Sequence, residues 1–291
     1  MSTAAYPLDA APAPHRAPGW GAIAAEQVRA VGLGIRVELT LLALFLAGLT
    51  VLLAVTAYRT GERINTDIPN VAIPIFMLAL AAPLAIWKGE EPARRGYLWS
   101  MPVPRVQHSL AKVFAGWVWV MGIVAVLVLW TVAMAWATGG DVRLDRSLGM
   151  LDGMRRGTRV VAPAMEGYPW MWLVPFTGAT VAYLAGSILA LASNYPWRWI
   201  AGGVFAFMLT AMLMEMGGLM MEDVLTDVLR AGATVMMGTS DTVVSYVDAR
   251  GAPLRAIQSA PDAARWAVNS LAALALALAG VFAAARRGEE R

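Results

Sequence analysis

Cysteine is absent from the sequence, and histidine occurs only at His15 and His108. The first absence excludes disulfides, thiolate metal sites and cysteine nucleophiles. The second leaves too little material for a histidine metal cage or a Ser-His-Asp triad. Charge is scarce as well: 15% of the 291 residues are charged, against about a quarter in a soluble domain. What charge there is lies between long apolar blocks, as in a chain surrounded by lipid. The motifs GxxxxGK[ST], HExxH, GxSxG and DxDxDG do not occur, so the usual phosphate loop, zinc helix, nucleophile elbow and calcium loop are missing.

Twenty or so apolar residues span a hydrocarbon core, and six segments meet that length. They run from Val37 to Tyr58, Ile68 to Trp87, Val113 to Trp136, Trp170 to Ser193, Trp197 to Gly217 and Trp266 to Ala285. The pattern predicts an all-α integral membrane protein of six transmembrane helices, residues 37–291. Trp87, Trp136, Trp170, Trp172, Trp197, Trp199 and Trp266 fall at span ends, where an indole keeps its ring in apolar contact and its N–H hydrated. Pro74 and Pro83 predict a kink in the second span.

With the N-terminus cytoplasmic, twelve Lys and Arg lie inside and eleven outside. The basic residues after the second span sit close to membrane ends, where they weigh most, whereas most of the outer ones belong to long loops. Both termini are therefore assigned to the cytoplasm, in a bacterial-type inner membrane. The overall charge of +3 fits arginines facing anionic headgroups and not nucleic acid, because no basic stripe alternates with aromatics.

The segments between spans divide as follows. Residues 1–19 form a flexible Pro-rich tail. Residues 20–36 form an interfacial amphipathic helix, with Trp20, Ala24, Val28, Val31 and Ile35 on one face and Glu26, Arg29 and Arg36 on the other. Residues 88–112 are short, polar and basic; Pro92 after Glu91 fits a helix start, and Pro102 and Pro104 break it. Residues 137–169 form an outer loop. Residues 218–265 read as an amphipathic outer insert of helices, with Met220, Met221, Val224, Leu225, Val228 and Leu229 in a stripe.

No ionisable residue sits at mid-span, which argues against an ion-coupled carrier or a charged filter. Met214 and Glu215, near the outer end of the fifth span, are candidates for an outer gate. Gly178, Ala182, Gly186 and Ala190 recur every four residues in the fourth span, as do Ala275, Ala279 and Ala283 in the sixth. Such rows let helix backbones approach closely, and the first is the candidate packing seam.

This layout resembles the membrane subunits of type-2 ABC exporters. The stretch Tyr97 to Lys112, YLWSMPVPRVQHSLAK, is similar to that family's Leu-Pro-Val-Ser-Arg-like element, with Met101-Pro102-Val103-Pro104-Arg105 in its place and Lys112 matching the later lysine. The resemblance implies that residues 88–112 couple to a separate ABC ATPase subunit, with Glu90, Glu91, Arg94, Arg95 and Arg105 as docking residues. It implies ATP and Mg on that partner, no cofactor and no catalytic or metal site in this chain, and a second permease subunit, identical or homologous. The few polar groups in the spans suit a hydrophobic or amphipathic substrate. A non-transporting anchor or assembly subunit of a larger membrane complex is the alternative.

Overall fold

A computed structural model of the chain describes residues 19–88, 104–143, 169–193, 195–216, 238, 240–247, 253–260 and 262–287. Helix α1 covers Trp20–Gly34 and α2 Arg36–Thr60. A two-residue strand β1, Thr66–Asp67, precedes α3, Ile68–Ile86. Helix α4, Arg105–Ala137, is followed by strand β2, Val142–Arg143. A 3-10 turn, Pro169–Leu173, leads into α5, Val174–Ala192, and α6 is Pro196–Met216. Strands β3, Ser240–Val247, and β4, Pro253–Ala260, come before the last helix α7, Ala263–Arg287.

Among the described residues, four helical stretches are long and apolar enough to cross a membrane: Arg36–Thr60, Arg105–Ala137, Pro169–Ala192 and Ala263–Arg287. The chain is a multi-pass helical membrane protein on that architecture. Helix α5 is its axis, packing against α3, α4 and α7. The core joins Ile75, Ala79 and Ile86 of α3, Val113, Val120, Val124 and Val128 of α4, Ala179, Ala182, Tyr183 and Leu184 of α5, and Ala277 and Val281 of α7. Helix α2 differs: none of its 25 residues is buried. It touches the bundle mid-span where the Trp130 indole N–H donates to Thr50 Oγ1 at 2.8 Å. Helix α3 runs unbroken through Pro74 and Pro83.

Glycines punctuate the helix ends. Gly61 closes α2 in the left-handed region, φ 69°, its N–H donating to the Ala57 carbonyl at 2.9 Å. Beyond the end of α4, Gly139 adopts φ 67° and Gly140 donates to the Ala135 carbonyl at 2.8 Å. The α2–α3 connection closes over this turn. Ile64 N–H donates to Thr138 Oγ1 at 3.1 Å, Asp141 N–H to Asn65 Oδ1 at 3.0 Å, and Thr66 pairs in parallel with Val142.

Two expectations are refined and one is corrected. The third apolar span belongs to a longer helix: α4 begins at Arg105, so Lys112 lies within a helix and is 6% exposed. The 218–265 insert is not helical throughout, because β3 and β4 pair antiparallel from Ser240↔Ala260 to Val247↔Pro253. Thr242, Val243, Val244, Tyr246 and Val247 are β-branched or aromatic types that favour strands; the apolar stripe at 220–229 lies outside the described residues. The apolar face of α1 is used against α4, with Ala24, Val31 and Ile35 buried.

Candidate functional site

The basic end of the bundle, where α1 meets the start of α4, carries several polar contacts between helices. We call it the base. Both anchors of the α3–α4 connection lie there. Lys88 ends the described part of the first anchor, and its Nζ is 3.8 Å from Glu38 Oε1 at the start of α2. That pair is largely exposed and contributes little to stability. Pro104 opens the second anchor, its carbonyl accepting the His108 N–H at 3.1 Å.

Two turns into α4 lies Lys112. Its ammonium sits 4.7 Å from the centroid of the Trp87 indole. Removing an ammonium from water is costly, and the negative face of an indole offsets part of that cost, about 2 kcal/mol when the pair is desolvated. The contact joins the end of α3 to the first turns of α4 across the connection. One residue on, the Val113 carbonyl accepts the buried Tyr183 hydroxyl of α5 at 2.9 Å. Gly116 makes room for that phenol: a Cβ there would collide with the Tyr183 hydroxyl. Residues 112–116 thus tie α4 to α3 and α5 within little more than one turn.

Helix α1 closes the other side. The Trp119 indole donates to the Val28 carbonyl at 2.8 Å, and Gln27 Nε2 lies 3.4 Å from His108 Nδ1. Helix α4, 33 residues from Arg105 and roughly 50 Å long at 1.5 Å per residue, passes through this hub and ends at the turn that closes on Ile64–Thr66. A single rigid element therefore connects the base to the far end.

At the far end Trp170 and Trp266 pack ring against ring with centroids 5.0 Å apart and planes tilted by 33°, linking the starts of the Pro169–Ala192 stretch and α7. Asp262 Oδ1 caps α7, accepting the N–H groups of Ala264 at 2.8 Å and Arg265 at 3.2 Å. Gly238 sits against the Asp262 carbonyl and the Trp266 nitrogen, so the β3–β4 hairpin leaves from and returns to the same point.

The residues singled out from the sequence fall as follows. Arg105 is the first residue of α4. Glu90, Glu91, Arg94 and Arg95 lie outside the described residues. Met214 and Glu215 are in the last turn of α6, with their side chains outside the description. Gly178, Ala182, Gly186 and Ala190 are all buried on α5. Gly186 is in backbone contact with α3: a Cβ would meet the Leu80 carbonyl oxygen and approach Pro83 to 3.1 Å. The seam therefore serves packing inside this chain. Ala275, Ala279 and Ala283 are exposed, while α7 buries Ala277, Val281, Ala284 and Ala285.

Sequence reasoning missed the Lys112–Trp87 contact, the Tyr183 bond and the docking of α1 on α4. A Trp at one span end and a Lys just before the next span were the available signals for the first. Among the described residues no group of three His, Asp or Glu could hold a metal ion. Compared with protein families, curated proteins and solved structures, the chain matches none.

Proposed function

We propose that this chain is the permease subunit of an ATP-driven exporter of the type-2 ABC class. It forms the translocation path as a dimer with a second permease, and separate ATPase subunits carrying ATP and Mg drive it through residues 88–112. The observation that carries the reading is the base junction. The α3–α4 connection is held at both ends beside α1, at the foot of a helix that reaches the opposite end of the bundle. The Met101-Pro102-Val103-Pro104-Arg105 element lies in that connection, and the chain has no phosphate loop of its own.

In this reading α3 and α6 also cross the membrane, making six crossings. Eight Lys and Arg among the described residues lie at the base end (Arg29, Arg36, Lys88, Arg105, Lys112, Arg198, Arg286 and Arg287), against Glu26 and Glu38. Such an excess close to span ends favours the cytoplasmic side, and it supports a cytoplasmic location for the termini and the connection. ATPase closure pushes on the connection, and α4, gripped at Lys112, Val113 and Trp119, carries the movement to the far turn. The substrate is hydrophobic or amphipathic, and Met214 and Glu215 line the outer gate.

Replacing Glu90, Glu91, Arg94 and Arg95 together by alanine tests the coupling. Transport is lost while the ATPase is released or hydrolyses ATP without transport; full transport by this variant would contradict the assignment. A non-transporting assembly subunit is favoured by one observation, the unburied length of α2, which leaves a long apolar surface for other membrane subunits. Substrate-dependent crosslinking at Met214 and Glu215 separates the two, since an assembly subunit shows none.

A further inference from the structure

We propose that the outward face of α1 is a seat for anionic phospholipid headgroups of the leaflet at the base. The inference does not rest on the exporter reading. An amphipathic helix at a membrane edge ordinarily turns its apolar face to lipid. Here Ala24, Val31 and Ile35 are buried against the bundle, and Gln27, Val28 and Gly32 meet His108 and Trp119 of α4. The opposite face is left outward. It presents Arg29, then Leu33 one turn later, then Arg36 at the junction with α2, all exposed.

The depth of α1 follows from its partner. It lies along α4 between His108 and Trp119, and α4 changes from polar to apolar at Lys112–Val113. That change is the level of the headgroups. In water the exposed Leu33, Val37 and Trp20, 62%, 58% and 48% accessible, would be unfavourable. At the headgroup–acyl boundary their apolar surface is covered while the guanidinium groups of Arg29 and Arg36 reach phosphate oxygens.

The charged groups around the face favour an anion. Glu26 is the one carboxylate on it, and Glu38 at the start of α2 is paired with Lys88. Each arginine near an anionic surface strengthens binding by about fivefold, so the two give roughly thirtyfold.

The test uses the full chain in mild detergent, titrated with dioleoyl-phosphatidylglycerol or dioleoyl-phosphatidylcholine, with bound lipid counted by native mass spectrometry. The wild-type chain retains phosphatidylglycerol in preference to phosphatidylcholine. R29Q/R36Q loses that preference by about thirtyfold, R29K/R36K keeps most of it, and R286Q/R287Q, which removes equal charge at the same end, keeps it. Both arginines are exposed, so the variants retain the wild-type melting temperature. Equal loss in the two glutamine variants, or no phosphatidylglycerol preference in the wild type, overturns the proposal. So does an R29Q/R36Q chain that keeps its lipid but loses a bound protein, which makes the face a protein interface.

Discussion

Lys112 and Trp87 stand on opposite sides of the α3–α4 connection and meet face on, ammonium to indole, 4.7 Å apart. The pair bridges the two ends of that connection, next to Lys88 on one side and to the Pro104–Arg105 start of α4 on the other. Because the chain has no cysteine, spin labels at K88C and R105C report the separation of those ends without background. K112M and W87L each broaden the distance distribution and each cost about 1–2 kcal/mol; K112R restores most of both. Combining K112M with W87L adds little, as for two partners of one interaction. Unchanged label distances in K112M would mean that the contact does not position the connection.

Gly186 predicts the cost of filling the seam. G186A drives a methyl group into the Leu80 backbone and destabilises by about 1–3 kcal/mol, read as a lower unfolding midpoint in detergent. A275L adds bulk on the exposed row of α7 and leaves the midpoint of the isolated chain unchanged. Equal effects at the two positions would mean that the rows are not divided between inside and outside as described.

These two rows looked alike in the sequence, since a four-residue recurrence fixes which residues share a face but not what the face meets. The same gap explains α1. Its two faces were legible, yet amphipathicity does not distinguish lipid from a neighbouring helix, and only the Trp119 and His108 contacts decide between them. The helices α2, α4, α5 and α7 were legible because runs of about twenty apolar residues have few alternatives. The β3–β4 hairpin was not, because the helical stripe at 220–229 was extended over a stretch whose β-branched residues favour strands. Lys112 was assigned to a polar connection because a charge at a span edge fits loop and helix equally well.

Asp262 predicts a local effect. D262A removes the acceptor for the N–H groups of Ala264 and Arg265 and costs about 1 kcal/mol, with faster amide exchange confined to the first turn of α7. D262N keeps the cap and loses only the solvent-accessible ion pair between Asp262 Oδ2 and Arg265 Nε, 3.7 Å apart, so its exchange stays near wild type.

Topology is testable with single cysteines and a membrane-impermeant maleimide on intact cells. E62C, D141C and R265C are labelled from outside; K88C, Y195C and R287C are labelled only after the cells are opened. Labelling of K88C from outside would remove α3 from the crossings, and labelling of Y195C would contradict the topology around α6.

The central claim is that an ATPase drives this chain through the connection at its base. The direct measurement is purification of the tagged protein in mild detergent, with identification of what accompanies it. The account predicts a stoichiometric partner bearing a phosphate loop, with ATPase activity, that is lost when Glu90, Glu91, Arg94 and Arg95 are replaced by alanine. A preparation with no ATPase, or with other membrane subunits alone, would contradict it and favour the assembly role.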